Sequence, residues 1–520
     1  MSSNYGGLGV FLKNSEMRMN NKRYFLAFYI MLSFCVVIGQ SRVWLSWDVA
    51  SLLYDTKLFL NGGTYVTDFF ETNPPMIFLI YSPAVILSQI TGISMLVLMK
   101  VYVILLMSLS LFCCSILLKR ILREADDLLR YFILYILSFV FLLLPSLEFG
   151  QREHILLIFM MPYLLSAVLA AQGKTIHTGM AILIGCLAGL GFGLKPYFLP
   201  TLILVECYVI FAKRNIWSCF RIESGICASI LCLFFVFIFV YHPNYIHVLL
   251  PLLNSFYFPA VQQSWLDIFT KPTVLYCLFI LGCYIFIFKN ENRYYRDLTA
   301  ILIVAMCGMM LAFIIPRTAW WYHMMPAMAL SCLLMTIFIY QLFFENQRQN
   351  YFSWTAILFS LLASYLIPLN IFIKSINDII VLNRSLEKSP MVVYIRNAKS
   401  KNMSCLLYNT LCYSIATATQ HEFVGRFPIF WWVTGLLKLE EKQGITDAIA
   451  KQKQYLINAV VEDFNRYRPG LIVVNTVKLH HNVSMLEYFL QNSEFREAWK
   501  DYHLTNQFDV FAIYERDNKG

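Results

Sequence analysis

Residues 47–75 read WDVASLLYDTKLFLNGGTYVTDFFETNPP, from Trp47 to Pro75. The stretch holds four carboxylates (Asp48, Asp55, Asp68 and Glu71), a Gly62-Gly63 turn and the stiff Pro74-Pro75 pair. It follows directly on an apolar segment, 24–40, so Asp48 sits a few residues past a membrane exit. A carboxylate at that depth is costly unless it is paired or functional. The reading is an acidic first loop for which the rest of the chain is a scaffold. Asp55 falls one turn further round, on the solvated face of that loop, where exchange for Asn is expected to be nearly silent.

Composition sets the class. Hydrophobic residues make up 59% of the 520 and charged residues only 14%, against about 25% charged in soluble domains. Apolar runs of roughly 17–25 residues recur, the length that crosses a bilayer. The chain is therefore a polytopic membrane protein. Its net charge of +10 is loop charge that sets orientation, not a nucleic-acid footprint.

Residues 1–23 are polar and basic, and the apolar core that follows lacks a small-x-small cleavage site. They are read as a cytoplasmic segment ahead of a retained anchor. The basic linkers 119–130, 213–221 and 289–296 share that side. Eleven spans satisfy this alternation: 24–40, 94–118, 131–149, 155–171, 178–194, 198–212, 224–241, 273–288, 298–315, 324–343 and 352–373. The apolar stretch 76–90, opened by two prolines, is about 15 residues and is placed along the membrane surface. Three domains result: 1–23, the membrane domain 24–374, and an outer-side α/β domain 375–520. The last should carry strands at 404–409, 471–475 and 508–514 and helices at 439–467 and 485–491. Cys405 and Cys412 lie in it, close enough in sequence to pair, and the apolar stretch 426–432 docks either on the membrane over the site or in the domain's own core.

On this topology the unusual polar residues collect at the outer ends of different helices: Asp48, Asp68 and Glu71, then Gln151 to His154, Lys195, and Arg317 to His323. Interfacial anchoring explains any one of these groups. Their convergence on one face is how a membrane-embedded site is built.

Asp48 at the start of the first outer loop, followed by Gly63-Thr64-Tyr65, Asp68 and Glu71-Thr72-Asn73-Pro74-Pro75, resembles the GT-C class of integral-membrane glycosyltransferases. That class includes the protein O-mannosyltransferases and the bacterial aminoarabinose transferase of lipid A. The resemblance covers about 24–340 in topology, with its specific motif confined to the first loop. It implies transfer of a sugar from a polyprenyl-phosphate donor to an acceptor hydroxyl of a lipid, glycan or protein, at the outer face of a bacterial inner (cell) membrane. Asp48 would be the general base. Arg152, Lys195 and Arg317 would hold the phosphate, with Tyr322 and His323 as further donors, and Glu71, Glu153, His154 and Asp68 would complete the substrate site. Asp48 is followed by Val49, where many members carry a second acid, so no metal site is assigned, although Glu71 and Glu153 leave a divalent metal possible. The competing reading is a transporter or flippase of a lipid-linked or anionic solute; an assembly role is the third.

Overall fold

A computed structural model of the chain describes residues 21–38, 46–123, 126–285, 295–344, 370, 373, 389–408, 411–479 and 482–517. Most of the chain is helical, with a small sheet-containing domain at the C-terminal end. Among the described residues seven helices are long and apolar enough to cross a membrane: Asn21–Ile38, Met95–Ile121, Arg152–Ala171, Pro196–Lys213, Ile222–Tyr241, Arg296–Ile314 and Trp321–Gln341. Each falls on one of the eleven predicted spans. Three more predicted spans are shorter helices, Asp127–Leu142, Thr178–Phe192 and Pro272–Cys283. The eleventh, 352–373, lies outside the described residues apart from two positions.

Small residues let these helices approach closely, as lipid-facing helices require. Gly185 and Gly189 sit four apart on one face of Thr178–Phe192. A Cβ at either would meet Ile226 or Ile230 of Ile222–Tyr241 within 2.8 Å.

The first loop is not a loop. Trp47–Leu60 is a helix, and Val49, Leu52, Leu53 and Thr56 are buried along it. Their i, i+3, i+4, i+7 spacing makes one apolar stripe. Asn61 and Gly62 end it, Gly62 at φ +87°, a left-handed conformation that only glycine enters cheaply. Met76–Thr91 starts straight after the proline pair, and its first half is buried against the bundle. Asp55 departs from expectation: it is 3% exposed, not solvated. Tyr413, from the C-terminal domain, donates to it at 3.4 Å. Sequence alone places Asp55 on a solvated face; a domain more than 350 residues later covers that face. Burial pushes its carboxyl well above the usual range, helped by Glu71.

The C-terminal domain carries a five-stranded mixed sheet in the order β2-β1-β3-β5-β4. The strands are β1 Asn402–Leu406, β2 Glu422–Phe423, β3 Leu471–Asn475, β4 Tyr502–Phe508 and β5 Phe511–Arg516. β1 runs parallel to β2 and β3, while β5 is antiparallel to β3 and β4. β3, all apolar but for Asn475, is fully buried at the centre. The expected single helix 439–467 is two, Trp431–Gln443 and Asp447–Tyr467, because Gly444 at φ +72° breaks the first and Thr446 caps the second. Cys405 and Cys412 form a disulfide.

Of the two roles expected for 426–432, burial in the core is the one seen. Phe427, Phe430 and Trp432 are buried there, while Trp431 meets Phe70 at a tilt and Tyr257 edge-on, both on the helical part. Arg426 ties the two parts together. Its guanidinium is paired with Asp463 at 2.9 Å and Glu462 at 2.8 Å and donates to the Val66 carbonyl at 3.0 Å. The Trp431–Gln443 helix lies so close to the backbone at Phe256 that only Gly435 fits between them.

Candidate active site

A cavity of about 410 Å³ lies where the helical bundle meets the C-terminal domain. Three long helices begin at it: Arg152–Ala171, Pro196–Lys213 and Trp321–Phe344. Unsatisfied N–H groups and the positive dipole ends of these helices favour an anion there. Asp48 stands in the first turn of Trp47–Leu60. Its Oδ2 accepts from Gln151 Nε2 at 2.6 Å and is ion-paired with Arg152 Nη2. Arg152 Nε, although buried, has no partner among the described residues.

A second charged pair stands beside the first. Lys195 Nζ donates to Glu153 Oε1 at 2.6 Å and sits 3.3 Å from His323 Nε2. His323 Nε2 is also 3.3 Å from the same Glu153 oxygen. That nitrogen can donate to the carboxylate or accept from the ammonium, not both. Its other nitrogen lies 3.1 Å from the Thr318 hydroxyl. Lys195 also lies 5.7 Å from the centre of the Tyr322 ring.

Glu71 faces the cavity. One of its oxygens accepts from the Asn73 backbone N–H at 2.9 Å, the Asn73 side chain and the Thr72 hydroxyl. Burial raises its carboxyl above the usual range, opposed by nearby Arg152 and reinforced by Asp48. Behind Asp48, burial and the Asp48 charge push Glu148 up to about 7.

Six expected residues line the cavity together: Asp48, Glu71, Arg152, Lys195, Tyr322 and His323. Glu153 is fully buried just behind the wall, holding Lys195. Three others are elsewhere. Asp68 shapes its own turn by accepting from Thr64 N at 2.9 Å and reaches Arg466 of the C-terminal domain. His154 is a structural pin: Nδ1 accepts from Gly150 N at 2.9 Å, so Nε2 carries the proton it donates to the Phe141 carbonyl at 2.8 Å. Arg317 donates to Gln262 at 2.8 Å and lies over the Trp265 ring, outside the cavity. Its backbone stands at φ +51°, in the left-handed region.

Sequence reasoning missed Gln151 as a ligand of Asp48, and the aromatic wall of Tyr197, Tyr245, Tyr257 and Trp431. Gln151 had a signal, as a member of the 151–154 cluster, and Tyr197 had one, two residues past Lys195. Tyr245 and Tyr257 had none, since they stand on the helical run 245–261, which carries two π-type stretches within it. Among the described residues no three His, Cys, Asp or Glu side chains gather as a metal-ligand set.

No protein-family model and no curated protein matches the sequence. Solved structures do match in three dimensions. The chain is similar to ArnT from Cupriavidus metallidurans bound to undecaprenyl phosphate, with a TM-score of 0.54 at 10% identity over 95% of this chain and 98% of that one. The apo form of the same protein gives 0.52 over the same shares. This chain has the ArnT fold. The ArnT likeness spans the bundle and the C-terminal domain together, so the resemblance read from the first loop holds for the whole fold. A looser likeness, with a TM-score of 0.44 at 9% identity over 88% of this chain and 70% of the other, is to the oligosaccharyltransferase of Archaeoglobus fulgidus.

Proposed function

We propose that the chain is a membrane glycosyltransferase that moves a sugar from a polyprenyl-phosphate-linked donor to an acceptor hydroxyl at the outer face of the membrane. The observation that carries this reading is the paired Asp48–Arg152 and Glu153–Lys195 set, buried where three helix N-termini converge. The ArnT fold and the undecaprenyl phosphate bound to ArnT itself support it.

The donor phosphate is a diester with one charge, and the departing monoester carries up to two. Arg152 and Lys195 supply two cations for that growing charge at low dielectric. Arg152 exchanges its contact with Asp48 for one with the phosphate, offering its unused Nε–H as well. This frees Asp48 as donor binds. Its carboxylate takes the proton of the acceptor hydroxyl while that oxygen attacks the anomeric carbon. The bond from that carbon to the phosphate oxygen breaks, and polyprenyl phosphate leaves with the electron pair. Glu153 and His323 hold Lys195 in place. The aromatic wall, with Trp431 contributed by the C-terminal domain, stacks on sugar.

Mass spectrometry of envelope glycolipids, glycans and proteins from cells with and without the gene tests this directly. The expected result is one glycan form that disappears with the gene. Identical profiles, together with no transfer by purified protein from any polyprenyl-phosphate sugar, would falsify the reading.

A further inference from the structure

A second cavity, of about 630 Å³, lies at the opposite end of the bundle from Asp48. It is a groove between Asn21–Ile38, Met95–Ile121 and the start of Asp127–Leu142. Four cations line it (Lys22, Lys119, Arg123 and Arg130) against a single carboxylate, Asp127. Arg130 is paired with Asp127 at 3.0 Å, and Arg123 with Asp126, which lies outside the lining, at 3.0 Å. Lys22 and Lys119 are exposed, and no ion pair holds either among the described residues. Deeper in, the lining turns apolar, with Leu111, Phe112 and Leu134, around a small polar spot where Tyr29 and Ser108 share a hydrogen bond of 2.8 Å.

This groove has two chemistries in a fixed order along the membrane normal: net positive charge at the helix ends, then hydrocarbon towards the bilayer centre. The Asn21–Ile38 helix leaves it open, since Val36 alone of its side chains is fully covered. A free anion satisfies only the first half. A zwitterionic lipid brings no net charge for the lysines. We propose that the groove is a binding site for one anionic glycerophospholipid, its headgroup on Lys22 and Lys119 and an acyl chain beside Leu111 and Phe112. Basic pockets between spans select anionic headgroups in this way. The bound lipid ties the loosely packed first span to the bundle, filling a gap that side chains leave.

The test uses the full chain in detergent and in nanodiscs. Native mass spectrometry should find phosphatidylglycerol retained in preference to phosphatidylcholine. Thermal stability should rise in nanodiscs that contain phosphatidylglycerol. The double variant Lys22→Gln/Lys119→Gln should lower retention about thirtyfold and remove the stability difference, with transfer activity at the far end unchanged. Ser115→Trp keeps both lysines but fills the groove, and should give the same loss. Equal retention of the two lipids, or full retention in both variants, overturns the proposal. Stabilisation by inorganic phosphate alone, with no lipid preference, also overturns it in favour of a free-anion site.

Discussion

Asp48 and Lys195 stand in similar places but are expected to fail differently. Asp48→Asn keeps the size and the bond from Gln151 but cannot take a proton. It leaves buried Arg152 without its carboxylate, so stability falls, and turnover per folded molecule should drop by about two to four orders of magnitude. The assay is transfer from purified polyprenyl-phosphate donor in nanodiscs. Activity above about a tenth of wild type moves the base to Glu71, the other carboxylate on the cavity wall. Lys195→Ala is a composite change, because it also leaves Glu153 buried without its cation. It should cost about 3–5 kcal/mol of stability and lose donor binding. Adding Glu153→Gln should restore most of the stability and none of the binding. Recovery of both would make Lys195 a counter-ion for Glu153 and nothing more. Asp55→Asn stays close to silent, for a different reason from the one read in sequence. Burial holds that carboxyl well above its usual range, and Asn resembles the neutral form. The types of these residues were legible in the chain; their partners were not. The neighbour that decides Asp55 is Tyr413, and the one that decides Arg317 is Gln262. Neither separation leaves a periodic trace.

Among the elements, the short turn Ser146–Glu148 and the segment that begins at Arg426 can each be tested alone. Glu148 has a folded value of about 7, above its ordinary 4.5. A carboxyl raised in this way contributes stability that is full below its unfolded value and lost as pH rises through 7. Melting temperature should therefore fall from pH 5 to 8 in wild type, and Glu148→Gln should flatten that slope. A slope unchanged in the variant assigns it to another group. Arg426→Ala removes the cation from buried Asp463 and the bond to Val66. A loss of about 3–5 kcal/mol is expected, with protease cleavage appearing between the two parts while the bundle stays intact. Cleavage no faster than wild type would mean that the ring contacts of Trp431 suffice. The helix split at Gly444 marks what periodicity conceals. The apolar pattern continues through 439–467, and only one glycine and one capping threonine interrupt it.

For the whole molecule, span length and the composition change near 375 were enough to read a helical membrane bundle followed by a mixed domain. The seven long helices all fall where apolar length put them. What sequence could not give is how the two parts dock, because a cavity shared between them depends on contacts that no local signal encodes. Topology remains open to a direct test. In a background with exposed Cys35, Cys207 and Cys232 replaced by Ser, an impermeant thiol reagent added outside should label Asn61→Cys and miss Lys174→Cys. Both positions are exposed, at opposite ends of the bundle. Labelling of both would sink the proposed orientation.

The cavity wall begins with Asp48 and is not complete until Trp431. Chains are made and folded from the N-terminal end. Every charged residue of the site is therefore inserted before the wall that closes over it is complete. A nascent chain that stalls after the spans holds the cations, the carboxylates and the three tyrosines of the wall, but not Trp431. Competence arrives late in synthesis, with the disulfide-bearing domain, so an unfinished chain has its reactive groups in the membrane but no enclosed chamber in which to use them.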